Sequence, residues 1–313
     1  MILGHFSNIE LRTKGTRMTR FFVYFQLILA CACTVNARSE KKADRQNCLY
    51  AVQGSKNTVY LQGSIHFLKP EHYPLNAQIE ETFTKCETIV FEVDIGEMNS
   101  RATQTLMMDK GMLSGGKTLE DVLSTNTYTL VQTKLEEWGM GAGMALFQSF
   151  KPWFLNITLL ALKLQNLGYS PEHGLDLYFY NKAKAENKKT LGLETVEFQF
   201  GLLNDFSSEE QDAQLAAGLK ELENIEKDIP EIVKGWENGD SKKIEKILHE
   251  GLKEFPEVYK SVLTDRNLDW LPKIKTHLRG EQDVMVIVGA GHLVGKDGLL
   301  ELLRKEGYAI HQK

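Results

Sequence analysis

The chain has 313 residues, of which 42% are hydrophobic and 25% charged, and its net charge is −5. That composition suits a substantial core, in one large domain or two small ones, and excludes wholesale disorder. The acidic balance, without a basic stripe, zinc-knuckle spacing or RNA-binding signature, argues against nucleic acid as a partner.

Near the N-terminus Arg17 and Arg20 precede the apolar run FFVYFQLILA, followed by small residues and Val35-Asn36-Ala37. This order predicts a signal peptide over residues 1–37. The run is too short to cross a membrane comfortably. Two routes of processing stay open: cleavage after Ala37, releasing a soluble chain, or lipidation at Cys31, because Ile28-Leu29-Ala30-Cys31 resembles a lipobox. Either route predicts export, periplasmic or extracellular, with membrane contact only through the lipid. Residues 1–37 contain Arg12, Lys14, Arg17 and Arg20 but only Glu10 as an acid, so the mature chain (38–313) is more acidic still. In an oxidising compartment Cys48 and Cys86 could pair; two free thiols are the alternative.

CLYAVQ and TVYLQGS are β-rich runs separated by GSKN, which predicts a hairpin. PLNAQIEETFTKCE has Ile79, Phe83 and Cys86 at helical spacing behind Asn76, a capped amphipathic helix. TIVFEVDI follows as a strand. From about Thr118 to Trp270 the chain reads as mainly helical, with a capping box at Ser207 and Glu210. DVMVIV is then a strand, GLLELLRKEG a helix and YAIHQ a short last strand. The fold class is therefore α/β: a central mixed sheet from the N- and C-terminal parts, with a large helical insertion between. Neither end has enough strands to stand alone, so the two must share the sheet.

Two strands run into Gly-x-x-His: Gly63-Ser64-Ile65-His66 and Gly289-Ala290-Gly291-His292. With 25 glycines and eight histidines the spacing alone is near chance. Position carries more weight, since ligands collect where the strands of open α/β sheets end. In VFEVDIG, alternation places Glu92 and Asp94 on one face of an otherwise apolar strand, and buried carboxylates need a cation, a metal or water. Two imidazoles and a carboxylate suit a divalent metal, and equally a structural explanation.

GSIHFLKPEHYPL, IVFEVDI, FKPWF, GLDLYFYNKAK, GLETVEFQ, DRNLDW and GAGHLVGKDGLLELLRKEGY occur in an order that resembles TraB/GumN proteins, relatives of the animal Tiki proteases. The resemblance runs from about Cys48 to Ile310. It implies an exported metal-dependent peptidase with a peptide or protein substrate. Manganese or cobalt would be the ion, with zinc not excluded. His66, His292 and Glu92 would hold the metal or activate its water, Arg266 would stabilise the oxyanion, and Asn267 would orient substrate or water. Ser64 stands where Tiki proteins usually carry threonine. Asp176 and Glu194 also match, as a salt bridge or as support for the site. Glu92→Gln should then abolish turnover with folding intact, while Asp94→Asn should cost less. Distant relatives include erythromycin esterases and a haem-binding lipoprotein, so the alternative is a non-catalytic binder of haem, metal or a signalling peptide. Oligomeric state and natural substrate are not legible.

Overall fold

The computed structural model describes residues 47–98, 100–250 and 256–313. The predicted signal peptide and Cys31 lie outside the described residues. Six strands form one sheet: β1 (Leu49–Gln53), β2 (Thr58–Ser64), β3 (Thr88–Val93), β4 (Lys189–Glu194), β5 (Val284–Gly289) and β6 (Ile310–Gln312), in the order β4-β3-β5-β2-β1-β6. The sheet is mixed. β1 pairs antiparallel with β2 and β6, whereas β4, β3, β5 and β2 are mutually parallel. The C-terminal β5 thus slots between two N-terminal strands, as the shared-sheet expectation requires.

β5 occupies that central place because it is apolar on both faces. Val284, Met285, Val286, Ile287 and Val288 are all buried. Burying each such aliphatic side chain is worth roughly 1.5–3 kcal/mol against leaving it in water. A strand polar on one face would leave unpaired groups in the interior.

The helices are α1 (Ala77–Lys85), α2 (Arg101–Gly111), α3 (Thr125–Glu137), α4 (Pro152–Asn166), α5 (Leu175–Ala185), α6 (Val196–Asn204), α7 (Ser208–Glu221), α8 (Ile225–Glu237), α9 (Ser241–Glu250), α10 (Asp265–Leu278) and α11 (Leu299–Lys305), besides shorter turns. The Asn76 side chain accepts from Gln78 N to start α1, which buries Ile79 and Phe83 against the core. Ser207 and Glu210 form the expected capping box of α7. Trp153, in the FKPWF motif, is buried.

β4 departs from the sequence reading, because it arises inside the region expected to be helical. Its residues KTLGLE carry one glycine and a mostly half-exposed face, so the run lacks the apolar signature of the other parallel strands. Gly192 is required there, since a Cβ would come 2.6 Å from Asp94 N, just after β3. Glu221 is buried despite its charge-rich surroundings in the sequence. Cys48 and Cys86 are both buried and free of any disulfide. Burial pushes both thiols up to about 12.

Candidate active site at the carboxyl edge of the sheet

Four parallel strands deliver their carboxyl ends to one edge, which gathers the site. His66 follows β2, Glu92 is next to last in β3, Glu194 ends β4, and Gly289 ends β5 ahead of a helical turn, Ala290–Leu293, that carries His292. Arg266 and Asn267 come from the first turn of α10. The two Gly-x-x-His motifs pack on each other: a Cβ on Gly63 would lie 3.1 Å from Ala290 Cα and 2.4 Å from Cys48 Sγ. The carbonyl of Gly63 is held by Trp236 Nε1 on α8 at 2.7 Å. That close approach is the physical reason for the first glycine.

Gly289 lies at the centre. A Cβ there would sit 3.2 Å from Glu92 Oε1, 3.6 Å from His66 Nε2 and 3.7 Å from His292 Cδ2. The two histidines therefore border one small hollow, which the glycine keeps open. Gly289 N donates to Glu92 Oε1 at 2.7 Å.

The histidines differ in state. Asn267 Nδ2 donates to the carbonyls of His292 (3.2 Å) and Asp297 (2.8 Å), which leaves its Oδ1 as the acceptor for His292 Nδ1 at 2.8 Å. The proton of His292 is thus on Nδ1, and Nε2 accepts from Arg266 Nη1 at 3.0 Å. Burial, then Arg266, drives its pKa well below the ordinary histidine value, so the ring is neutral. His66 Nδ1 lies 2.6 Å from Asp176 Oδ2, at ion-pair distance. Burial works against its charged form, but Asp176 and then Glu92 outweigh it, and the net shift is upward. His66 Nε2 is buried with no hydrogen-bond partner among the described residues.

Arg266 is the hub. Nη2 reaches Glu92 Oε2 and Glu194 Oε1 at 2.6 Å each, Nε reaches both Glu194 oxygens at 3.1 and 3.2 Å, and Nη1 reaches His292 Nε2 and, at 3.3 Å, Val262 O. Trp270 stacks under it, with Cζ 4.6 Å from the ring centroid, and donates to Glu194 Oε2 at 2.9 Å. All five guanidinium N–H groups are engaged within the protein. Arg266 and Asn267 therefore organise Glu92 and His292 rather than face a substrate, which differs from the oxyanion and substrate-orienting roles expected of them. Asp94 has a different partner: its Oδ1 accepts from Gly96 N at 2.8 Å.

The fit of a divalent ion follows from these donors. His66 Nε2 and Glu92 Oε1 border the hollow, but both ring nitrogens of His292 are engaged by Asn267 and Arg266. Among the described residues, no group of three or more His, Cys, Asp or Glu side chains is placed to hold a metal. The set His66, His292 and Glu92 does not fit a three-ligand metal centre in this arrangement.

Sequence reasoning underweighted four residues. Asp176 and Glu194 matched motifs, but nothing local paired them with His66 and Arg266. Gln199 on α6, 3% exposed, donates to Glu92 Oε2 at 3.3 Å. Trp270 was detectable as the residue four after Arg266, one turn along the same helix face. A separate cleft of about 510 Å³ opens beside Lys69 and Tyr169, on the segment just after His66.

An α/β protein with a histidine, carboxylate and arginine centre at the carboxyl edge of its parallel strands is the class that fold and site define. The TraB/PrgY/gumN family model matches residues 48–312, and the chain belongs to that family. It is also similar to an uncharacterized protein of Treponema pallidum (strain Nichols), 18% identical over 311 residues, covering 93% of this chain and 92% of the relative. No solved structure matches the chain. No helix of the described residues is long and apolar enough to cross a membrane.

Proposed function

We propose that the chain is an exported hydrolase acting on peptide-type acyl bonds, with His66 as the base that activates water. One observation carries this reading: His66 Nε2 is buried, unpartnered and beside the Gly289 hollow, while Asp176 holds the opposite ring nitrogen. An Asp-oriented imidazole with a free Nε2 is suited to take a proton from water as its oxygen attacks a carbonyl carbon. The same nitrogen then returns the proton to the leaving amine or alcohol. Glu92 borders the hollow with Oε1 and adds negative potential that favours the imidazolium formed in that step. The peptide-type substrate and export rest on the family resemblance and the signal-like N-terminus.

The experiment is hydrolysis of a mixed peptide pool by the purified mature chain, beside His66→Ala. Cleavage lost in the variant supports the reading, and cleavage unchanged in it ends the role of His66. Binding of peptide by both proteins without cleavage would select the second reading, a non-catalytic peptide binder. That reading is favoured by the commitment of every Arg266 N–H within the protein, since none faces a developing oxyanion.

A further inference from the structure

A buried site with three carboxylates nearby (Glu92, Glu194 and Asp176) needs positive charge. The family resemblance assigns that charge to a divalent ion, yet two of the three side chains that would ligate it, Glu92 and His292, already converge on a guanidinium. Glu92 Oε2, both Glu194 oxygens and His292 Nε2 each direct a lone pair at Arg266, at 2.6 to 3.2 Å. The guanidinium side chain is 1% exposed and lies over the Trp270 ring. Trp270 in turn packs on His292, with ring centroids 4.4 Å apart. Burial works against the charged form, but Glu92 and then Glu194 outweigh it. A dication on His292 Nε2 would have to displace this group and then stand beside its charge.

We infer that Arg266 is the resident cation of this site: its guanidinium lies between Glu92, Glu194 and His292 and takes the His292 Nε2 lone pair that a divalent ion would need, so the centre is complete without a metal. Its planar fork of five donors explains why an arginine serves here, where a lysine would reach fewer acceptors. This inference stands apart from hydrolysis, because it holds equally for a peptide binder, and its readout is metal content.

The test equilibrates the wild-type chain with manganese, cobalt or zinc in turn, removes free ion, and measures bound metal and the shift in Tm. The expected result is far less than one ion per chain and no metal-dependent shift. Arg266→Ala frees His292 Nε2, Glu92 and Glu194 as a three-donor set, and is expected to gain about one ion per chain with a metal-dependent rise in Tm. If the variant folds only with metal present, that rescue is the same positive result. Glu194→Gln added to Arg266→Ala should remove the gained ion. Wild-type uptake of one ion per chain that is lost in His66→Ala or His292→Ala would overturn the inference. Failure of Arg266→Ala to gain an ion, folded or not, would overturn it too.

Discussion

Glu92 Oε2 and Arg266 Nη2 lie 2.6 Å apart, with side chains only 5% and 1% exposed. Glu92 is therefore part of the buried charge network as well as a wall of the hollow. Glu92→Gln should cost stability as well as turnover, which revises the expectation that folding stays intact. Arg266 keeps Glu194, so the loss should be about 3 kcal/mol, the low end for a broken buried pair. Urea denaturation measures it. Asp94→Asn should stay within about 0.5 kcal/mol, because asparagine caps the Gly96 amide as well as aspartate does. Equal losses from the two substitutions would contradict this division.

The His66–Asp176 contact sets a pH dependence. The folded-state pKa of His66 is raised above 6.5 by Asp176 and Glu92, against burial. A base must be neutral, so turnover should rise with pH through a midpoint above 6.5. The stabilisation from the charged pair has the opposite sense: it is full below the unfolded value and is lost as pH rises through the folded one. Asp176→Asn should move the kinetic limb to lower pH and reduce kcat by about 100-fold. A limb that stays in place would show that Asp176 does not tune His66.

Gly289→Ala tests the hollow directly. The backbone φ of Gly289 is −49°, so alanine introduces no dihedral strain. Its methyl group would stand 3.2 Å from Glu92 Oε1 and 3.6 Å from His66 Nε2. The stability cost should be about 1 kcal/mol, from a small shift of a pinned carboxylate. Turnover should fall far more than that cost explains, by about 100-fold, because water loses its place beside the base. Full activity in a folded variant would move the reaction elsewhere.

Gly174→Ala should act on the same dyad through the backbone. A Cβ at Gly174 would come 2.2 Å from His66 O and 2.8 Å from His66 C. Neither atom is free to retreat, since Ile65 O and Leu68 are bonded to Leu175 N and Ser170 respectively. The variant should lose about 1–3 kcal/mol and misplace His66 against Asp176. Thermal unfolding together with the pH profile of turnover checks both consequences.

Much of the sheet was legible because its strands advertise burial: DVMVIV is apolar on both faces and had to be central. The convergence of His66 and His292 followed from that, since two buried strands ending in glycine turns share an edge. β4 was not legible. KTLGLE holds its place by pairing with β3 and by the close approach at Gly192, neither of which leaves an apolar pattern. Losing β4 hid the position of Glu194, and with it the double pairing of Arg266. Asp176 was hidden for another reason. Its meeting with His66 depends on the bridge between Leu68 and Ser170, a contact between segments about a hundred residues apart that no local pattern encodes.

The central place of β5 has a consequence for the order of synthesis. Until Val284–Gly289 leaves the ribosome, β2 and β3 have no shared neighbour, and each presents an unpaired apolar edge. The same segment brings Gly289 and His292, so a nascent chain shorter than this holds His66 without the hollow it borders. The centre cannot form on a partial chain, and any intermediate that stalls there exposes sticky strand edges. The site stays unassembled until His292 has been made, and that delay comes from strand order alone.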